Sequence, residues 1–257
     1  MKSSIYKYLK EREPLAIAFS GGTDSSALIL FCRLNHIKYV GFTIAGPHIT
    51  DYEIQRVVSL RREYGLNHCF FYCDYKFSSQ VARNSRRRCF YCKSNLFSGP
   101  VKFFFRTHIV ADGTNSTDLL GYRPGIESIR AHGIISPFVD LGMTKDQIIG
   151  FARKLGLKAN KADSRSCILA RFSYGVYLDH DLVIKIRRAE DFLLQQGLSG
   201  FRFRVLKPGD YLLQIDEHYG QPFFQIKAGF DQLVDSLGLK SYSIQLMPFG
   251  EITGYYD

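Results

Sequence analysis

Residues 15–26 read LAIAFSGGTDSS, a short apolar stretch followed directly by a glycine-rich polar loop. Residues 15–19 have the composition of a buried strand, and residues 24–33 are helix formers with one apolar face. Gly21 and Gly22 let the backbone turn sharply between strand and helix and approach an anion closely. Free N–H groups at the helix start then point at that anion. The stretch therefore predicts a phosphate-binding loop.

This loop lacks the lysine of a Walker A motif. It resembles instead the PP-loop signature SGGxDS, which implies that the β and γ phosphates of ATP are held and pyrophosphate is released. Mg²⁺ is expected to bridge the phosphates, with Asp24 as the nearest acid. The alternative is an ordinary glycine-rich turn with Asp24 as a helix N-cap. The predicted nucleotide-binding residues of the loop are Ser20, Gly21, Gly22, Asp24, Ser25 and Ser26.

Outward from the loop, strands and helices alternate along the chain. Strands are expected at residues 39–44, 68–72 and 108–111, with a charged amphipathic helix at 51–64. This alternation predicts an α/β fold with a doubly wound parallel sheet, in which ligands sit at the carboxyl ends of the strands. The segment DGTN falls at such an end, and its residues are expected to close the nucleotide pocket: Asp112, Gly113, Thr114 and Asn115.

After residue 156 the pattern becomes irregular, and from residue 181 it changes. A helix, two strands, another helix and a last strand are expected between residues 181 and 246, which describes a small α+β unit. We predict two domains, a PP-loop ATP pyrophosphatase domain at 1–175 and a small C-terminal domain at 176–257. The net charge of +10 suits anionic partners such as nucleotides, phosphates or RNA. Neither a signal peptide nor a membrane-spanning apolar run is evident, so a soluble, cytoplasmic protein is expected.

Six cysteines are present, and two of them form a C-x-x-C pair, Cys89 and Cys92, at the start of a predicted helix. Neighbouring arginines and a helix N-terminus favour the thiolate form of such cysteines. Three interpretations follow from the residues. Cys89, Cys92 and Cys167 bind a [4Fe–4S] cluster with one iron left open, or Cys89 and Cys92 join Cys69 and Cys73 in a zinc site, or the pair is a redox-sensitive dithiol.

Four motifs occur in a fixed order: SGGTDSS, RCFYCK, DGTNSTDLLGYRPG and SCILARFSYG. Together they resemble the LarE family of ATP-dependent sulfur transferases in nickel-pincer cofactor synthesis, whose fold is adenine nucleotide alpha hydrolase-like. The resemblance implies that a carboxylate of a pyridinium mononucleotide is adenylated and its oxygen replaced by sulfur. Cys167 matches the cysteine that some members sacrifice as sulfur donor. Cys89 and Cys92 match the further cysteines of cluster-dependent members, so the chain resembles the [4Fe–4S] type that uses external sulfide.

The resemblance also suggests roles for basic residues. Lys93 is expected to stabilise the adenylate as a catalytic residue beside Asp24 and Cys167. Arg202 and Arg204 are two apart on a predicted strand and share one face, which suits a substrate phosphate; the alternative is a solvated outer face. Arg123, in an Arg-Pro-Gly sequence typical of a type II turn, and Arg171 complete the predicted substrate-binding residues.

Two other functions are compatible with these residues. One is tRNA thiolation by a related PP-loop enzyme, in which the arginines near Cys89 would contact RNA phosphates. The other is a nucleotide-binding redox sensor, which would bind ATP without releasing pyrophosphate. The expected partners are a small nucleotide substrate, a sulfide or other sulfur donor and further copies of the chain. The family resemblance suggests that the chain forms a homo-oligomer, such as a hexamer.

Overall fold

The computed structural model describes residues 2–73, 77–158, 166–239 and 241–253. Its α-helices are α1 Lys2–Lys10, α2 Thr23–Leu34, α3 Asp51–Tyr64, α4 Ser79–Ala82, α5 Arg88–Ser98, α6 Pro124–Ala131, α7 Pro137–Asp140, α8 Lys145–Lys154, α9 His180–Gln195, α10 Gly220–Ser236 and α11 Phe249–Thr253. Its strands are β1 Leu15–Ala18, β2 Tyr39–Ala45, β3 His68–Tyr72, β4 Ile109–Ala111, β5 Phe201–Lys207, β6 Asp210–Asp216 and β7 Tyr242–Met247. Short 3₁₀ helices span Pro100–Arg106, Ser116–Leu120, Ile168–Arg171 and Glu217–Tyr219.

The described chain forms two compact units, each with its own sheet. One unit comprises Met1–Ala45, Glu53–Cys73 and Cys89–Arg165, and the other comprises Gly46–Tyr52, Asp74–Arg88 and Ser166–Asp257, each taken over its described residues. The predicted domain boundary after residue 175 stays a prediction, because it concerns two continuous segments whereas these units interleave along the chain.

The first sheet is parallel and has the strand order β3-β2-β1-β4. Its residues alternate between two apolar layers, since successive side chains of a strand point to opposite faces. Leu15 and Ile17 pack with helices α1, α2 and α8 on one face. Ala16 and Val110 pack on the other face, with α5, α6 and the 3₁₀ helix that follows α5. Helices cover both faces, so the prediction of an α/β doubly wound sheet is confirmed.

The strand order places β1 between β2, which follows it in the chain, and β4, which comes much later. The chain therefore reverses its direction of travel across the sheet between β1 and β4. In open α/β sheets the loops at such a switch point diverge and leave a crevice for ligands. Both SGGTDSS and DGTN follow these two neighbouring strands, so they meet at this crevice.

The second sheet has three strands in the order β5-β6-β7. Strands β5 and β6 form an antiparallel hairpin, and β7 lies parallel to β6 after the crossover through α10. The turn of the hairpin contains Gly209 with a φ of 79°, a left-handed conformation that favours glycine. The predicted small α+β unit is thus present, with elements in the predicted order.

Several local predictions can be compared directly with the structure. The Gly99-Pro100 sequence predicts a kink or break in the helix that begins near Cys92, and helix α5 does end at Ser98, before a 3₁₀ helix that starts at Pro100. The T-K-D-Q sequence from Thr144 predicts a capping box, and Thr144 and Gln147 do form the capping box of α8. The type II turn at Arg123-Pro124-Gly125 was wrong: Pro124 is the first residue of α6, a position where its fixed φ and missing N–H carry no cost.

Within the described residues, no helix combines the length and the apolar character that crossing a membrane requires.

Candidate active site

The loop between β1 and α2 has the geometry of an anion-binding site. Helix α2 begins at Thr23, and its N-cap is Gly22, without a side-chain capping bond; Asp24 is therefore inside the helix rather than its cap. The amides of the first turn have no partner within the helix by geometry, and the helix dipole favours negative charge there. Gly21 has a φ of 73°, and a β-carbon at this residue would lie 3.1 Å from Cγ2 of Val57, so the turn requires glycine.

Serine side chains hold the loop in shape from inside. The Ser25 hydroxyl accepts from the Ser20 amide at 3.2 Å and lies 3.1 Å from the Ser20 hydroxyl. It also lies 3.3 Å from the Gly22 carbonyl oxygen, to which it donates. From α3, the Nε of Arg56 donates to the Gly21 carbonyl at 2.8 Å. Arg56 was not predicted, because nothing distinguishes it from the other charged residues of an amphipathic helix.

Asp24 lies at the centre of a charged cluster beside this loop. Lys145 Nζ is 2.7 and 2.8 Å from the two carboxylate oxygens, and Nδ2 of Asn115 donates to Oδ2 at 3.2 Å. Burial raises the pKa of the Asp24 carboxyl, while the Lys145 ammonium and the Asn115 amide act in the opposite direction. Lys145 was also missed, although it occupies the first position of α8, directly after the recognisable N-cap Thr144.

The DGTN segment folds onto the glycine-rich loop. Asp112 accepts from the Thr114 amide at 3.2 Å, which is an Asx turn, and from the Ser136 hydroxyl at 2.7 Å. Gly113 lies so close to α2 that a β-carbon there would be 2.8 Å from the Ser25 amide nitrogen. The structure therefore brings together the two segments that the sequence assigned to one nucleotide pocket; nucleotide binding by these residues stays a prediction.

Beyond DGTN, the hydrogen-bonded cluster extends to the predicted substrate ligand Arg123. Asn115 caps the next 3₁₀ helix and forms a capping box with Asp118. Asp118 Oδ1 in turn lies 3.2 Å from Arg123 Nη2, whose side chain remains 61% exposed. Arg123 thus stands at the solvent edge of the cluster, with a guanidinium that still faces water.

Lys93 extends from α5 across the first turn of α6. A β-carbon at Gly125 would lie 3.1 Å from both Cδ and Cε of Lys93 and 3.5 Å from its Nζ. The Ser94 and Ser128 hydroxyls, 2.9 Å apart, join the same two helices. Because Gly125 has no side chain, the Lys93 side chain can lie over the first turn of α6.

Cys89 and Cys92 are half-buried in the first two turns of α5, three residues apart and hence on one side of the helix. Cys69 lies on β3 with its sulfur 3.7 Å from the Gly41 carbonyl oxygen. Burial raises the pKa of both the Cys69 and the Cys73 thiols. Over the described parts of the chain, no three His, Cys, Asp or Glu side chains are grouped closely enough to hold a metal ion.

Cys167 belongs to the second unit, where it is the N-cap of the 3₁₀ helix Ile168–Arg171. The three other predicted arginines are buried there as well. Arg171 pairs with Glu190, and the side chains of both have 0% exposure. Arg204 donates to the Gln214 side chain at 2.5 Å, and Arg202 donates to the Phe201 carbonyl at 2.9 Å. The alternative of a solvated face on this strand was wrong, because every residue from Phe201 to Val205 is buried.

The parallel sheet with a PP-loop at its switch point defines the chain as an α/β protein of the PP-loop type. No family model matches the chain. An uncharacterized protein of Synechocystis sp. is 27% identical over 205 residues, covering 78% of this chain and 76% of that protein. An uncharacterized protein of Methanocaldococcus jannaschii is 28% identical over 210 residues, covering 80% and 79%.

A third relative has a named activity. The pyridinium-3,5-bisthiocarboxylic acid mononucleotide synthase of Lactiplantibacillus plantarum is 29% identical over 209 residues, covering 79% of this chain and 75% of the synthase. This relative is the LarE-type enzyme, so the resemblance to that family is confirmed, and so is the prediction that the chain is an enzyme; the three-cysteine [4Fe–4S] type stays a prediction. A solved structure of NMN synthetase from Francisella tularensis matches with a TM-score of 0.44 and 14% identity, over 60% of this chain and 69% of that one.

Proposed function

We propose that this chain is an ATP-dependent sulfur transferase that activates a carboxylate as its adenylate and exchanges one oxygen for sulfur. The observation that carries the proposal is the meeting of the glycine-rich loop, Asp24 and the DGTN segment at the crevice between β1 and β4. The name of the third relative supports a pyridinium mononucleotide as the substrate, since its product carries two thiocarboxylates.

The proposed reaction has two steps. A carboxylate oxygen of the substrate attacks the α-phosphorus of ATP, and the bond to the bridging oxygen breaks with release of pyrophosphate. Hydrosulfide then attacks the acyl carbon of the adenylate; the bond to the AMP oxygen breaks, AMP leaves, and the hydrosulfide proton passes to solvent. The product is a thiocarboxylate. Neither step changes the oxidation state of the substrate, so no oxidant or reductant is required.

The first-turn amides of α2 and the hydroxyls of Ser20 and Ser25 are the donors suited to the departing pyrophosphate. Lys145 and Lys93 supply positive charge for the phosphates and the adenylate. Asp24 fits Mg²⁺, which prefers carboxylate oxygens and water, because its carboxylate lies beside the loop and is held there by Lys145. Bound Mg²⁺ would neutralise charge that develops on the phosphates. Arg123 is suited to the phosphate of the substrate.

We further propose the [4Fe–4S] form of the enzyme, with Cys89, Cys92 and Cys167 as ligands. Two cysteines three residues apart on one side of α5 suit two ligands of one cluster. When bound, such a cluster would provide an open iron that holds external sulfide. The alternative sulfur source is the Cys167 side chain itself, which would be converted to dehydroalanine.

Metal analysis after anaerobic purification tests the source of sulfur. We expect about four irons per chain with equivalent labile sulfide, lost in Cys89→Ala and kept in the control Cys73→Ala. Zinc without iron, or iron that survives Cys89→Ala, would contradict the cluster. Loss of mass at Cys167 after one turnover would support the sacrificial route instead.

The reaction is tested with ATP, sulfide and pyridinium-3,5-biscarboxylic acid mononucleotide, the oxygen analogue of the product that the third relative is named for. We expect pyrophosphate and thiocarboxylate to form in parallel. ATP binding without pyrophosphate would indicate the redox sensor. Pyrophosphate formation only with tRNA, together with a steep loss of tRNA binding in salt, would indicate tRNA thiolation.

A further inference from the structure

The segment that carries Cys167 is buried yet almost without regular structure. Residues 168–172 are buried, and only a single 3₁₀ turn is present. Buried backbone carbonyls need hydrogen-bond donors, and outside helices and sheets these must come from other parts of the protein. Within this segment, the Ala170 amide donates to the Cys167 carbonyl at 2.9 Å, and the Ile168 amide donates to the His48 carbonyl at 3.0 Å. We call residues 166–173 the cysteine loop.

Arg88 supplies one of the missing donors. Its Nη1 donates to the Leu169 carbonyl at 2.7 Å and to the Asn84 side-chain oxygen at 2.8 Å. Asn84, which is fully buried, donates through Nδ2 to the Phe172 carbonyl at 3.3 Å and to the Ser173 carbonyl at 2.9 Å. Asn84 has a φ of 49°, a left-handed conformation that asparagine tolerates better than most residues. Arg88 and Asn84 are therefore hydrogen-bonded to each other and together bind three backbone carbonyls of the cysteine loop.

Arg171 fixes the other end of the cysteine loop. Its Nη1 donates to the Ser166 hydroxyl at 2.8 Å, and its Nη2 lies 3.3 Å from the Ser166 carbonyl oxygen. The same guanidinium makes a two-bond contact with Glu190, at 2.6 and 3.1 Å. Glu190 also accepts from the Phe203 amide on β5 at 2.9 Å. The residue before Cys167 is thus tied to both α9 and β5.

Arg204 holds the middle of the loop. Its Nη1 lies 3.3 Å from the Ala170 carbonyl oxygen, and its Nη2 donates to the Ile252 carbonyl at 2.5 Å. Arginine suits this task better than lysine, because a planar guanidinium presents several donors in a fixed arrangement and remains charged when buried. Arg88, Arg171 and Arg204 come from different elements, yet each donates to backbone within three residues of Cys167.

We propose that Arg88, Arg171 and Arg204 are positioning residues for Cys167, which fix the backbone of the cysteine loop so that the thiol is presented in one orientation. This inference rests on the proposed function for its chemical consequence, because only the sulfur-transfer step uses Cys167. It assigns Arg171 and Arg204 a task other than contact with substrate phosphate. It also gives buried Arg88 a role that its exposed neighbours Arg86 and Arg87 do not share.

The test compares Arg88→Met, Arg88→Lys and the control Arg188→Met, an exposed arginine on α9 of the same unit. Pyrophosphate and thiocarboxylate are measured with ATP, sulfide and pyridinium-3,5-biscarboxylic acid mononucleotide. We expect Arg88→Met to keep its pyrophosphate formation but to lose about tenfold or more in thiocarboxylate formed per pyrophosphate, as for loss of a charged hydrogen bond. Arg88→Lys should recover part of this loss, and Arg188→Met should match the unmodified protein.

Proportional loss of both products in Arg88→Met, or no loss of either, would overturn the proposal. If Arg88→Met does not fold, Arg88→Gln replaces it with the same expectation. Amide hydrogen exchange of the cysteine loop gives a readout without catalysis: the Ala170 amide should exchange about tenfold faster in Arg88→Lys than in Arg188→Met. Unchanged exchange overturns positioning, whereas faster exchange in a protein that forms no pyrophosphate would contradict only the proposed function.

Discussion

The α-carbon of Gly113 lies directly against the backbone of Ser25, at the point where the DGTN segment reaches the first turn of α2. A β-carbon at residue 113 would be 2.8 Å from the Ser25 amide nitrogen and 3.1 Å from its α-carbon. Both neighbours are backbone atoms, which cannot move aside as a flexible side chain can. The contact therefore links the position of the glycine-rich loop to the end of β4.

Replacement of Gly113 by alanine should displace the glycine-rich loop. We expect about 1–3 kcal/mol of destabilisation, as for overpacking in a filled core, and a larger relative loss of ATP-dependent pyrophosphate formation. Gly150→Ala is the matched control, since a β-carbon at residue 150 would have no neighbouring atom within 4 Å and alanine favours the helix by about 0.5–1 kcal/mol. Urea unfolding and pyrophosphate release are the measurements. Equal behaviour of the two variants would show that the loop tolerates the added methyl group.

Removal of Lys145 should leave the Asp24 carboxylate without its closest cation. Burial already raises the Asp24 pKa, and Lys145 is the main opposing contribution, so Lys145→Met should raise that pKa further. If ionised Asp24 holds Mg²⁺, the acid limb of the pH profile for pyrophosphate formation moves to higher pH. Lys154→Met, at the exposed end of the same helix, is the control. A lower rate with an unshifted profile would mean that Lys145 acts on the phosphates alone.

Asp191 should make the protein less stable as pH rises, which is the opposite of the usual contribution of a carboxylate. It accepts from the Asp51 and Tyr52 amides at 3.2 Å each, yet burial raises its pKa to about 6. Between the unfolded value near about 4 and about 6, the folded protein binds more protons than the unfolded chain, so this group makes stability fall as pH rises.

Asp191→Asn should remove this contribution while it keeps an acceptor for the two amides. Thermal unfolding at several values between about pH 4 and pH 7, with the exposed Asp181→Asn as control, measures the difference. The variant should gain stability relative to the unmodified protein as pH rises through about 6. A constant difference across this range would mean that Asp191 titrates elsewhere.

Glu190→Gln should destabilise the second unit strongly, because it removes the carboxylate charge that pairs with the fully buried Arg171 guanidinium. Loss of one partner of a buried ion pair costs about 3–5 kcal/mol. Glu217→Gln on the surface is the control. In a double-mutant cycle with Arg171→Met, the two losses should be less than additive, since either change alone breaks the same contact. Additive losses in chemical denaturation would show that the two side chains contribute independently.

The local features of this chain were predictable because their determinants lie a few residues apart. The strand before SGGTDSS, the capping box from Thr144 to Gln147 and the break at Pro100 each depend on neighbours in sequence. The Arg123-Pro124-Gly125 turn was wrong because proline suits both the second position of a turn and the first position of a helix. Only the apolar residues that follow, which pack against one face of the parallel sheet, favour the helix.

The amino-acid sequence by itself determined the class of fold, the glycine-rich loop and the order of the helices and strands, since periodicity and glycine placement act within short windows. Tertiary structure alone decided which side chains meet. Lys145 reaches Asp24 across 121 residues, and Arg88 reaches Leu169 across 81. Many lysines and arginines in this basic chain have the same local surroundings. Only the packing of distant elements brings a few of them against a carboxylate or a backbone carbonyl, and that contact distinguishes them from ordinary surface cations.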